Sequence, residues 1–145
     1  MNDKSRKNRQ VVDIGIITIR PDENTEILTR IPKTSIFDGI DEMRYRLGTI
    51  LCKNGTEISV AVARCIEQGN IEAQKVATNL FYDLNPQWIF VVGIAGGVPS
   101  SDFSLGDVIV SSRIYDLTLE ASMPNGEREY SIKGGNLHDL ARRIT

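Results

Sequence analysis

The 145-residue sequence has few of the residues that build metal sites and disulfides: two cysteines, Cys52 and Cys65, and a single histidine, His138. Two cysteines are too few for a disulfide framework, so we expect a reducing compartment, the cytoplasm. No Cys/His cluster has metal-ligand spacing, so we expect no metal, and no cofactor is implied. Any Ser-His-Asp or Cys-His site would have to use His138, which lies among the polar positions of a predicted surface helix, Leu137 to Ile144.

Long apolar runs are missing as well. No run approaches transmembrane length, and the first residues lack the apolar segment of a secretory signal, so we expect no membrane partner. The formal net charge of −2 gives no general preference for nucleic acid. Residues 1–10 nevertheless carry four basic side chains against Asp3, for a net charge of +3. We predict a disordered basic tail over residues 1–10 and one folded domain over residues 11–145.

The most informative stretch begins with Trp88 to Val92, which are all apolar, aromatic or β-branched. Such a run is typical of a strand buried on both faces of a sheet. Gly93, Ile94, Ala95, Gly96 and Gly97 follow, and glycines allow positive φ angles or the close approach of another group. Ligands of open α/β sheets bind beyond the carboxyl ends of strands, which makes this loop a candidate site. A tight turn without a ligand is the alternative.

Two well-known glycine motifs are excluded at this loop. Gly93, Gly96 and Gly97 do not have the G-x-G-x-x-G spacing of dinucleotide-binding proteins. A phosphate loop needs a lysine after its last glycine, and Val98 occupies that place. Any ligand would therefore be held by backbone amides and close approach.

The remaining patterns predict an α/β domain. Val11 to Ile19 is rich in β-branched residues, and Asp22 is a good N-cap for a helix over Glu23 to Arg30. Glu23 would then lie near a helix N-terminus, where a carboxylate is stabilised by the dipole; a charge with no further role is the alternative.

Asn54-Gly55 is a strong hairpin signal between strands over Tyr45–Lys53 and Glu57–Ile66. Arg64, near the end of the second strand, either leaves the sheet or is a charge aimed at a ligand. Asn70 is the expected N-cap of an amphipathic helix that ends at Asn85-Pro86.

These elements predict three layers, with a central mixed sheet between helices. Four apolar runs are expected in that one sheet: Val11–Ile19, Ile58–Ile66, Trp88–Val92 and Asp107–Ser111.

The residues VVGIAGGV, then LGDVIVS, then Tyr115-Asp116 resemble the centre of the nucleoside phosphorylase and nucleosidase superfamily. That group includes the methylthioadenosine/S-adenosylhomocysteine nucleosidases. The resemblance runs from about Val11 to the end and implies a phosphorylase/hydrolase-like αβα fold. It covers only the N-terminal part of the family's domain, so we expect the domain to be incomplete at its C-terminus. We therefore also expect residues 1–145 alone to be marginally stable, with an unpaired sheet edge.

The resemblance implies an enzyme that cleaves an N-glycosidic bond of a purine nucleoside or adenine nucleotide. It places Glu23 where the nucleosidases have the carboxylate that activates water. It places Gly93, Ile94, Ala95 and Gly96 where the family's Gly-Ser-Ala-Gly block approaches base and ribose; Ile94 replaces the serine.

Many phosphorylases have a phosphate-binding arginine at the position of Val91, so the resemblance implies hydrolysis. Arg20 or Arg64 could supply the missing charge, which leaves phosphorolysis as an alternative. A nucleotide-binding or sensing module without catalysis is another. The expected partner is a small nucleoside or nucleotide, and the chain is expected to be a homo-oligomer or part of a multidomain protein.

Overall fold

The computed structural model describes residues 11–97, 101–102, 104–111, 119–122, 128–130 and 135. The chain divides into two units, one ending at Gly96 and the other beginning at Gly97. The first unit contains, in chain order, β1 Ile14–Thr18, α1 Pro21–Thr29, β2 Ser35–Asp38, a 3₁₀ segment Ile40–Glu42, β3 Arg44–Leu51, β4 Glu57–Arg64, α2 Asn70–Leu84 and β5 Trp88–Val91.

The five strands of the first unit form one sheet in the order β2-β3-β4-β1-β5. β1 is parallel to both of its neighbours, so that Ile14 is paired with Val60 on β4 and with Trp88 on β5. β2, β3 and β4 are antiparallel to one another. The sheet is therefore mixed, as the sequence predicts.

The hairpin between β3 and β4 forms at Asn54-Gly55, the turn predicted from the sequence. Gly55 has φ +82°, a value that residues with a Cβ rarely adopt. The Asn54 side chain accepts a hydrogen bond from Thr56 N at 3.0 Å, and Cys52 N donates to Thr56 O at 2.8 Å. These local bonds fix the register of the antiparallel pair.

The two helices pack on opposite faces of the sheet. On one face, α2 contributes Val76, Leu80 and Leu84 to a cluster that also contains Ile17 of β1. On the other face, the cluster contains the following residues from α1, β1, β4 and the segment after α1: Ile27, Leu28, Ile31, Ile14, Ile16, Ile58, Val60 and Val62. Because successive side chains of a strand point to opposite faces, β1 and β4 contribute to both clusters. The three-layer αβα prediction is confirmed.

Two features of the sheet differ from the sequence predictions. Among the described residues β5 is an edge strand, because only β1 pairs with it, so the expectation of a strand buried on both faces is wrong. Val91 is 63% exposed and Val92 is 36% exposed. Residues 107–111 form no strand; Val108 is 91% exposed, and no described strand pairs with this segment. Burial and pairing depend on neighbouring strands, which an apolar run alone does not specify.

Helix starts differ by one or two residues from the sequence predictions. α1 begins at Pro21 with Arg20 at the N-cap, so Asp22 lies in the first turn and is not the cap. Proline fits the first helical position because it has no N–H to satisfy there. α2 begins at Asn70 with Gly69 at the N-cap, and it ends before Asn85, which is left-handed with φ 44°. Both helices were otherwise predicted.

The second unit contains β6, Leu119–Ser122, and β7, Arg128–Tyr130, which pair antiparallel. The residues between these two strands, 123–127, lie outside the described residues. The basic tail over residues 1–10, Tyr115-Asp116 and the predicted helix with His138 also lie outside them. The predicted domain boundaries and the marginal stability stay predictions.

Candidate functional site

The candidate site lies at the carboxyl edge of the sheet, where the parallel strands β1 and β5 both end. β1 ends at Thr18, and α1 begins three residues later at Pro21. Val92 N donates to Ile17 O at 2.9 Å and extends the pairing of β5 with β1 to the residue before Gly93. The connection between β1 and α1 is therefore held beside the glycine loop, as expected for a ligand site of an open α/β sheet.

Glu23 joins these two segments through its carboxylate. Its Oε2 accepts hydrogen bonds from Arg20 N at 2.8 Å and Ile19 N at 3.1 Å. Its Oε1 accepts one from Ile94 N at 2.9 Å, across 71 residues of sequence. Glu23 thus completes the capping box at the start of α1, where Arg20 is the N-cap, and also anchors the glycine loop.

The pKa of Glu23 is lowered below its usual value of 4.5. The main causes are the hydrogen bonds from the backbone amides of Arg20 and Ile94, which stabilise the charged form. Partial burial opposes this shift by disfavouring the charge. Glu23 is therefore an anion at neutral pH and accepts hydrogen bonds at both oxygens.

Gly93 lies against the Glu23 carboxylate. A Cβ added to Gly93 would be 3.0 Å from Oε1 and 3.3 Å from Cδ of Glu23. A contact this short would force the carboxylate to move by a few tenths of an ångström. Glycine at this position lets the loop approach the carboxylate closely.

The structure brings only part of the predicted block to Glu23. Gly93 and Ile94 contact the carboxylate through the features given above. Ala95 and Gly96 are exposed, and no described atom lies within 4 Å of a Cβ built on Gly96. Ile94 is 72% exposed, and among the described residues its hydrogen bond is the one from its N–H to Glu23.

A polar pair at the end of β1 was not predicted from the sequence. Asn24 Nδ2 donates to Thr18 Oγ1 at 3.1 Å, and Thr18 is fully buried at the end of β1. Cys65 N donates to Thr18 O at 2.8 Å, so the residue is also fixed by β4. A threonine among isoleucines at the end of a predicted strand was the only available signal, and it is a weak one.

The two arginines considered as phosphate ligands differ in their surroundings. Arg20 makes a bidentate ion pair with Asp22, with Nε 2.9 Å from Oδ1 and a terminal nitrogen 2.7 Å from Oδ2. This pairing raises the pKa of Arg20 and lowers that of Asp22. Arg64 is exposed at the last position of β4, and its guanidinium has no hydrogen bond or ion pair with any described residue. Arg64, and not Arg20, has a guanidinium available for a ligand.

In the described part of the chain, no group of three or more His, Cys, Asp or Glu side chains could hold a metal ion. No helix in the same part is long and apolar enough to cross a membrane.

Comparison with known proteins adds two findings. A family model described as "Phosphorylase superfamily" matches residues 13–141. A "Death domain-containing ATP nucleosidase" from Amphimedon queenslandica is 39% identical over 51 residues, which are 35% of this chain and 10% of that protein. The chain therefore matches only about a tenth of the length of that relative.

Proposed function

Because the chain belongs to the phosphorylase superfamily, we propose that it cleaves the N-glycosidic bond of a purine nucleoside or adenine nucleotide by hydrolysis. Glu23 is the catalytic residue of this proposal, and the backbone from Gly93 to Gly96 holds base and ribose. The partial match to an ATP nucleosidase supports the substrate class.

The observation that carries the proposal is the position of the Glu23 carboxylate, which is charged and bonded to the glycine loop. Each carboxylate oxygen can accept two hydrogen bonds. Oε2 accepts two, whereas Oε1 accepts only the bond from Ile94 N among the described residues. Oε1 therefore has a lone pair left to orient a water molecule beside the loop.

The reaction follows from this arrangement. As the bond between C1′ and the base nitrogen breaks, its electron pair goes to the base, which takes up a proton from the solvent, and the ribose becomes cation-like. The water held by Glu23 adds its oxygen to C1′ and gives a proton to the carboxylate, which returns it to the solvent. A carboxylate with a lowered pKa is a weak base, so we expect proton transfer late, when the C–O bond has made the water acidic.

Val91 supports hydrolysis over phosphorolysis. It is 63% exposed at the end of β5, at the position where many phosphorylases have their phosphate-binding arginine. An apolar side chain cannot pair with a phosphate dianion. The ion pair of Arg20 with Asp22 also removes one of the two arginines that could compensate.

The test is release of free base from a panel of purine nucleosides and adenine nucleotides, with and without inorganic phosphate. We expect release without phosphate and a loss of roughly 10²–10⁴-fold in kcat for Glu23→Gln, the usual contribution of a general base. Glu26→Gln is the matched control, because Glu26 is exposed on the same helix and its carboxylate makes no hydrogen bond or ion pair with any described residue.

Three outcomes would contradict the proposal in different ways. Full turnover by Glu23→Gln would remove the role assigned to Glu23. Release that requires phosphate would establish phosphorolysis. Nucleotide binding without any release of base would establish a binding or sensing module.

A further inference from the structure

Three arginines lie together on one face of the sheet, at the starting end of β3 and the carboxyl end of β4. Arg46 on β3 is paired in register with Val62 on β4. Val62 belongs to the α1 face of the sheet, so Arg46 and Arg64 are on that face by alternation. Arg64 is the diagonal neighbour of Arg46, at a distance of about 7–8 Å between backbone positions. Continuing the register places Arg44 opposite Arg64.

This arginine cluster, defined as Arg44, Arg46 and Arg64, has an excess of positive charge. Arg44 Nε is 2.9 Å from Asp38 Oδ1, so one arginine is paired with a carboxylate. Arg46 and Arg64 are exposed, and neither guanidinium has a hydrogen bond or ion pair with any described residue. Like charges on neighbouring strands repel each other, which favours an anion between them.

The arginine cluster shares the carboxyl edge of the sheet with Glu23. Arg64 is paired in register with Thr18, the last residue of β1. Neighbouring strands are about 4.8 Å apart. The backbone of Arg64 is therefore about one strand spacing from β1, the strand that leads to Glu23, and the backbone of Arg46 is about two spacings from it. An arginine side chain adds several ångströms of reach in either direction.

We propose that Arg46 and Arg64 bind the 5′-phosphate groups of the substrate, which makes the substrate a nucleotide and not a free nucleoside. This inference rests on the proposed function, because it takes Glu23 as the position of the reacting carbon. Arginine suits the task since its planar guanidinium binds phosphate oxygens bidentately and stays charged. A phosphate that attacks C1′ would have to lie beside Glu23. The backbones of Arg64 and Arg46 are one and two strands away from β1, so their side chains suit a phosphate at the 5′ position better than one that attacks C1′.

The test compares adenosine, adenosine 5′-monophosphate and adenosine 5′-triphosphate as substrates of the parent protein, Arg46→Gln and Arg64→Gln. We expect each substitution to raise KM for the two nucleotides by about tenfold or more, the usual effect of losing a charged hydrogen bond. KM for adenosine should not change. Added salt should weaken the nucleotide preference of the parent. Arg30→Gln is the control, because Arg30 is an exposed, equally charged residue at the opposite end of α1.

Equilibrium binding of the same three compounds by calorimetry separates this inference from the proposed function. Nucleotide binding that is stronger than adenosine binding and is lost in Arg46→Gln and Arg64→Gln supports the arginine site even if no base is ever released. Base release at equal efficiency from adenosine and its phosphates, unchanged in both variants, overturns the arginine site and leaves the nucleosidase proposal standing. If base release requires inorganic phosphate, and the KM for that phosphate rises in both variants, the cluster binds free phosphate and the proposed 5′-phosphate site is overturned.

Discussion

Glu23→Gln is the perturbation whose outcome the structure specifies most fully. Among the described residues, the three partners of the Glu23 carboxylate are all N–H donors, distributed over both oxygens. Glutamine has one carbonyl oxygen and one amino group, so it can accept on one side only. If its oxygen faces the N–H groups of Ile19 and Arg20, its amide NH2 group faces the N–H of Ile94. Two donors then face each other and no hydrogen bond can form. The substitution therefore removes the bond to the glycine loop as well as the charge.

The expected cost follows from the bonds affected. Hydrogen bonds to a charged group contribute about 1.5–3 kcal/mol and neutral ones about 0.5–1.5 kcal/mol. One bond is lost and two become neutral, while partial exposure reduces each difference, so we expect about 1–2 kcal/mol. For a chain of this size that corresponds to a fall of roughly 3–7 °C in Tm.

The assay is thermal unfolding together with hydrogen exchange of the Ile94 amide. The amide should exchange faster in Glu23→Gln, and Glu26→Gln should match the parent in both measurements. An unchanged Tm with an equally protected Ile94 amide would refute the reasoning, because the bond between Glu23 and the loop would then contribute nothing. Turnover measured on the same samples then shows whether a loss of activity exceeds the loss of folded protein.

Three further predictions concern the same packing. Gly93→Ala should lower both kcat and Tm, because its Cβ would displace the Glu23 carboxylate. Gly96→Ala is the control and should leave Tm unchanged, because a Cβ at Gly96 has no described atom within 4 Å. If Gly93→Ala has the same Tm and kcat as the parent, the close approach of the loop to Glu23 is contradicted. Gly15→Ala should lower the free energy of unfolding in denaturant by about 1–3 kcal/mol, because its Cβ would be 2.6 Å from Leu80 Cδ2 in the core. An unchanged unfolding midpoint would mean that Leu80 can shift to make room for the Cβ. Because the pKa of Glu23 is lowered in the folded protein, its charge stabilises the fold above pH 4.5, and this stabilisation is lost as the pH falls through the folded-state pKa. The difference in free energy of unfolding between the parent and Glu23→Gln should therefore shrink in acid. A difference that stays constant with pH would exclude the charge as its cause.

The elements that the sequence predicted correctly are those with a local cause. The hairpin follows from Asn54-Gly55, and α2 follows from an apolar stripe bounded by Asn70 and Pro86. β2 was missed because its four residues are mostly exposed and show no apolar alternation. The edge position of β5 and the absence of a strand at 107–111 could not be predicted, because pairing is decided by other segments.

The candidate site was predictable only in its parts. A glutamate after a strand indicates a helix start, and a glycine block after another strand indicates a close approach. The hydrogen bond between Glu23 and Ile94 joins residues 71 positions apart, and no spacing rule connects them. The resemblance to the nucleosidases named both residues as parts of one site, but it did not predict a direct bond between them.

That bond gives Glu23 two tasks that oppose each other. The amides that hold the loop lower the pKa of the carboxylate, and a lower pKa makes a weaker base. Losing the bond from Ile94 N would raise the pKa of Glu23 and make it a stronger base, at the expense of the loop that is proposed to hold the nucleoside. Because Oε1 accepts only one bond from the described residues, a water molecule can use its second lone pair while the loop stays anchored. Position and charge, rather than high basicity, are then what Glu23 contributes to the proposed reaction.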